Sequence, residues 1–130
     1  MDGTEIDRSA LLVAADLMLR NPKTLTAGAS VAEARAQLAS PKVQLVLLAD
    51  GRAFKGAVTH VPPEASPDDR ALDYVDTEVE VISPHASADE AFERAAASPT
   101  RRVVVLDDDH NLLGLLCLNP SRTGFCGASV

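Results

Sequence analysis

Tryptophan is absent, and one tyrosine and three phenylalanines bring the aromatic share to only 3%, so a platform for stacking single-stranded nucleic acid has almost no material. Basic charge is scarce too. Twelve Lys and Arg stand against nineteen Asp and Glu, a formal charge of -7 with a pI near 4.8. That balance argues against nucleic acid polymers and acidic membrane surfaces as partners and leaves small anions admissible. Cysteine is limited to Cys117 and Cys126, with no Cys-x-x-Cys pair, which excludes a disulfide framework and fits a reducing, cytoplasmic compartment. No long apolar run occurs: residues 10–19 include Asp16 and are too few to span a bilayer. The start, Met1-Asp2-Gly3-Thr4-Glu5, is acidic where a secretory leader is basic. The expectation is a soluble protein without a membrane partner.

Catalytic and metal patterns are missing as well. There is no Ser-His-acid order, phosphate-cradling glycine loop or His-Glu-x-x-His, so no catalytic residues and no enzyme activity are expected. His60, His85, His110 and the two cysteines lack ligand spacing, and Asp107-Asp108-Asp109 lacks the glycine and glutamate of a calcium loop. No metal site is expected.

What is present is a core-forming composition, 46% hydrophobic over 130 residues, long enough to bury roughly two-thirds of the unfolded surface without a staple. It is also a repeat: residues 23–59 recur at 80–117, an offset of about 57. Thr24-Leu25-Thr26 and Ser30-Val31-Ala32-Glu33-Ala34 answer to Val81-Ile82-Ser83 and Ser87-Ala88-Asp89-Glu90-Ala91. Past one inserted residue, Ser40-Pro41 answers to Ser98-Pro99, Leu45-Val46-Leu47-Leu48 to Val103-Val104-Val105-Leu106, and Gly56-Ala57-Val58-Thr59 to Gly114-Leu115-Leu116-Cys117.

Each copy reads as strand, helix, strand, strand. Ser30 with Glu33, and Ser87 with Glu90, form capping boxes that satisfy orphan amides at a helix start. Val31, Ala34 and Leu38, and Ala88, Ala91, Phe92 and Ala95, give each helix one apolar stripe. Pro41 and Pro99 stop the helices at the preceding serines. The four-residue apolar runs that follow read as strands covered on both faces. Turns at Asp50-Gly51-Arg52 and at 107–111 lead into strands over 54–59 and 112–118. A helix over 9–19 is expected ahead of the first copy, a short helix over 67–74 between copies with Ser66 as cap and Pro67 first inside, and a loose segment after 120.

This duplicated unit, preceded by Asp16-Leu17-Met18-Leu19-Arg20-Asn21-Pro22 and ending each copy in a strand whose glycine opens a G-x-x-T/S-x-x-D-like phrase, resembles a pair of CBS domains, named after cystathionine β-synthase. The resemblance covers about residues 9–120. It implies an α/β (α+β) fold: two β-α-β-β repeats about a pseudo-two-fold axis, an N-terminal helix and a short inter-repeat helix. The implied division is repeat 1 at 9–62, a linker at 63–78, repeat 2 at 79–120 and a flexible tail at 121–130. It also implies a homodimer and a regulatory module whose inter-repeat cleft takes an adenosine compound, AMP, ADP, ATP or S-adenosylmethionine, on behalf of an unidentified regulated protein.

The final acid of that phrase, which in the family grips the ribose hydroxyls, is Pro62 in the first copy and Pro120 in the second. Losing bonds to a charged acceptor costs on the order of a hundredfold in affinity. The preceding hydroxyl survives as Thr59 and becomes Cys117, so the first copy is the better nucleotide candidate. The resemblance makes Thr59 and the backbone groups of Thr24 and Leu25 candidates for the base or sugar side, and Arg101 and Arg102, with Lys42, for an anionic group, while His60, after the strand hydroxyl, is a candidate for a ligand contact at the cleft mouth. The competing reading of the arginines is a solvated strand entrance, and of His60 an exposed loop histidine. Cys117 reads as a small hydrophobe, and Cys126 as an ordinary tail thiol or a crosslinking one. The alternative function is a ligand-free dimerisation or interaction module, to which Leu11, Leu12, Leu17 and Met18 would contribute.

Overall fold

Ser30 Oγ accepts the Glu33 amide at 3.2 Å while Glu33 Oε2 accepts the Ser30 amide at 2.8 Å, so both halves of this capping box form. Helix α2, Val31–Leu38, follows. In the second copy the box is one-sided. Ser87 Oγ accepts the Glu90 amide at 3.1 Å, but the Glu90 carboxylate turns to Arg94 Nε, also at 3.1 Å. Helix α3, Ala88–Ala97, starts there.

The computed structural model describes residues 12–20, 22–41, 43–121 and 123–125. Its strands are β1 Leu19–Arg20, β2 Thr24–Leu25, β3 Val46–Asp50, β4 Ala53–Val58, β5 Val81–Ile82, β6 Arg102–Leu106 and β7 Leu112–Cys117. They form a three-stranded sheet, β2-β3-β4, and a four-stranded sheet, β1-β7-β6-β5. In each, a short strand runs parallel to the central one across the helix, and the central strand makes an antiparallel hairpin with the next.

Alternation along the central strands decides how the sheets stack. Val46 and Leu48 face the α2 side, and Val103 and Val105 face the α3 side. Leu45 and Leu47 meet Val104 and Leu106 in a shared core between the sheets. Both central strands are thus covered on both faces, as their unbroken apolar runs require. At one end the hairpin turns clasp each other: the Phe54 amide donates to the His110 carbonyl at 3.1 Å and the Leu112 amide to the Arg52 carbonyl at 2.7 Å.

The first helix is shorter than its apolar pattern predicts. Helix α1 covers Ala14–Leu17, and Met18 is extended at φ -78°, ψ 154°, because Leu19 pairs with Leu115 and Arg20 with Gly114 in the opposite copy's sheet. Residues 9–11 of the expected helix lie outside the described residues. The inter-repeat helix is also reduced, to a 3-10 turn at Ala71–Tyr74. Pro67 and Asp69 cannot open a helix because their carbonyls accept the Ala32 and Val31 amides at the start of α2, at 3.1 and 2.7 Å.

Both short helices have one structural cause. Ala14 donates to the Ala86 carbonyl and Ala88 to that of Leu12; Ala71 donates to the Ala29 carbonyl and Val31 to that of Asp69. Helix α1 and the 3-10 turn therefore hold equivalent places, and each copy's lead-in segment lies against the other copy. After β7 the chain folds back, with the Asn119 amide on the Gly124 carbonyl at 2.9 Å and Phe125 against the second-copy core. Of the segment expected to be loose, 122 and 126–130, with Cys126, lie outside the described residues.

Candidate functional site

A left-handed backbone turn sets the position of the arginine pair. Arg101 has φ 56°, a conformation that costs a non-glycine residue of order 1 kcal/mol. Two backbone bonds hold it: its amide donates to the Ser98 carbonyl at 3.0 Å and its carbonyl accepts the Leu118 amide at 2.9 Å. Arg101 Nε donates to the Leu118 carbonyl at 3.3 Å, and Arg102 Nη1 to the Thr100 carbonyl at 3.0 Å. Among the described residues neither arginine has a carboxylate partner.

Both arginines border a cleft between the copies made of three connected recesses. The middle one, about 210 Å³, is lined largely by apolar side chains from both copies, including Leu19, Val43, Leu45 and Leu115, with Gln44 and Arg102. Gln44, Arg102 and Cys117 also line a second recess of about 350 Å³, bordered by Arg101, Leu118 and Pro120. Val43 and Gln44 also line a third of about 430 Å³, which holds Arg35, Thr59 and His60. The Val43 amide donates to the Ser40 carbonyl as that of Arg101 does to Ser98, so Val43-Gln44 is the first-copy counterpart of Arg101-Arg102. Cationic charge at this position is confined to the second copy.

The sequence candidates do not converge on one spot. Thr59 and His60 share the third recess, while Arg101 and Arg102 share the second. Thr24 borders a separate recess with Gly51, Arg52 and Leu112, and Leu25 packs on the first-copy core. Both are paired with β3, Thr24 opposite Leu47 and Leu25 opposite Leu48. Lys42 lies outside the described residues. Cys117 is buried in β7, as its apolar setting predicts.

The first copy is less open to a nucleotide than its surviving hydroxyl implies. Thr59 Oγ1 donates to Asp76 Oδ2 at 3.0 Å. Arg35 Nη2 donates to the carbonyls of Pro62, Pro63 and Ala65 at 2.7, 3.3 and 2.9 Å, tying the proline loop to α2. The sequence reading missed Arg35, Asp76, Lys23 and Gln44. The repeat itself could have pointed to Gln44, since it aligns with Arg102.

A family model of the CBS domain matches residues 71–119, the second structural copy from its lead-in turn to the end of β7. Solved CBS-pair structures superpose across both copies. A CBS domain-containing protein of unknown function from Bacillus anthracis is 14% identical with a TM-score of 0.69, covering 84% of this chain and 88% of its own. The CBS-pair protein CBSX2 from Arabidopsis thaliana is 17% identical with a TM-score of 0.67, covering 80% and 86%.

The chain has the fold of a CBS-domain pair. A further relative by fold is the CBS domain of a bacterial CNNM/CorC family Mg2+ transporter in complex with ATP, 9% identical with a TM-score of 0.64, covering 84% and 83%. Among curated proteins, no significant match was found. Among the described residues no helix of this pair is long and apolar enough to cross a membrane.

Proposed function

We propose that this CBS pair is a regulatory module in which a small anionic ligand occupies the cleft between the copies and alters how they sit together, or how two subunits do. The observation that carries the reading is the placement of Arg101 and Arg102, without carboxylate partners among the described residues, beside a recess walled by both copies. Only a ligand that touches both copies can favour one relation between them, because a shift requires differential affinity. Adenosine compounds are the class that the fold relatives suggest, bound weakly here because Pro62 and Pro120 stand where a ribose-gripping acid is expected. A homodimer in the cytoplasm, acting on an unidentified regulated protein, is the assembly that fits this role.

A second reading, a ligand-free dimerisation or interaction module, is favoured by the engaged Thr59 and by Phe92, which is 39% exposed on α3. Calorimetric titration with AMP, ADP, ATP and S-adenosylmethionine tests the first. Weak saturable binding, reduced by Arg101→Gln or Arg102→Gln, supports the sensor. Silence across all four, with an unchanged dimer by sizing, supports the interaction module.

A further inference from the structure

The cleft is polarised in a way that selects among anions. Among the described residues, none that lines its three recesses is acidic, although the chain has nineteen Asp and Glu. Asp76, the carboxylate bonded to the cleft residue Thr59, is already committed: Oδ2 accepts Thr59 Oγ1 at 3.0 Å and Oδ1 accepts the Glu78 amide at 2.8 Å. Vicinal sugar hydroxyls are held best by a charged acceptor, and this cleft offers them none. The central recess alone holds about 210 Å³, below the roughly 300 Å³ at which pockets for drug-sized ligands begin, so the apolar body seated there is compact, and Arg101 borders the recess beside it. The walls of the central recess are mainly aliphatic, while Lys23 and Arg102 supply positive charge at the same recess.

We propose, resting on the small-ligand reading above, that the preferred occupant is a compact amphipathic anion without a sugar. Its ring or branched apolar body sits among Leu19, Val43, Leu45 and Leu115, and its phosphate or carboxylate turns to Arg102 and Arg101. The apolar walls supply affinity by burial, and the arginines fix the orientation and exclude neutral analogues of the same shape.

Calorimetry on the full chain with benzoate, phenyl phosphate, inorganic phosphate and AMP tests this. The expected result is that benzoate or phenyl phosphate binds about tenfold or more tightly than either AMP or inorganic phosphate. Arg102→Gln weakens that binding by about tenfold or more, as loss of a charged hydrogen bond does, and Arg102→Lys, which keeps the charge, retains most of it. AMP binding more tightly than both aromatic anions overturns the proposal and leaves the regulatory reading standing. Inorganic phosphate matching phenyl phosphate removes the apolar seat, and an Arg102→Gln protein that binds normally removes the assigned orientation. Silence toward these anions and toward all adenosine compounds overturns both readings.

Discussion

The Thr59 hydroxyl donates to Asp76 Oδ2 at 3.0 Å, joining the end of β4 in one copy to the segment that leads into the other. The backbone repeats the link, with the Asp76 amide on the Ala57 carbonyl at 2.8 Å. Thr59 in this arrangement fixes the inter-copy relation and is not an open ligand donor. Thr59→Val should destabilise the fold by about 1 kcal/mol, read by urea denaturation, while phenyl phosphate affinity stays within error. A variant that keeps wild-type stability but loses anion binding would reverse the assignment.

Gly56 sits where the same lead-in crosses β4. Its φ is +151°, and a β-carbon there would lie 2.6 Å from Val75 Cγ1. Gly114 is its counterpart, with Met18 and the Leu19 carbonyl in the way. Gly56→Ala should cost about 1 to 3 kcal/mol through overpacking and backbone strain and lower the thermal midpoint. Gly28→Ala, where nothing lies within 4 Å, serves as the control and should be close to neutral.

Arg35 ties three carbonyls of the proline loop to α2. Arg35→Ala should speed hydrogen exchange at the Ala65 amide, which donates to the Pro62 carbonyl at 3.0 Å, with global stability falling by about 1 to 3 kcal/mol. Exchange unchanged at Ala65 would show that the loop holds without it.

The Asp107 turn gives the fold an acid-side dependence. The amide of Asn111 above all, with its side chain and the amide of Asp109, holds the Asp107 carboxyl below the ordinary value of 3.8. The unfolded chain takes up this proton first as pH falls, so the stabilisation is present above about 3.8 and is lost through the lower folded value. Asp107→Ala should therefore be less stable than wild type at pH 7, with the gap closing below pH 3.8, as followed by denaturation at several pH values. A gap that is constant with pH would remove Asp107 from this role.

Much of the architecture was legible because the repeat carries its own punctuation. Ser30 and Ser87 cap their helices, the unbroken runs before Asp50 and Asp107 become doubly covered strands, and alternation sends Leu47 and Val104 to one core. The lead-ins were not, because two-residue pairing such as that of Leu19 with Leu115 leaves no periodic signal and truncates a helix that local pattern favours. Asp16 and Asp73, two residues after Ala14 and Ala71, were the available hint that the repeat begins earlier. At the site, residue type identified Arg101 and Arg102 as cations beside a strand. Their lack of carboxylate partners among the described residues, and the coupling of Thr59 to Asp76, depend on tertiary placement that the sequence does not encode locally.

The central claim is that a small anion sits between the copies on the arginine side. Amide chemical shifts followed by NMR while phenyl phosphate is titrated into the intact chain test it most directly. The account predicts the largest changes at Gln44, Leu45, Arg102 and Cys117, with the hairpin clasp at Ala53 and Asn111 nearly still. Saturable changes centred on Thr24, Gly51 and Arg52, or no saturable changes at all, would contradict it.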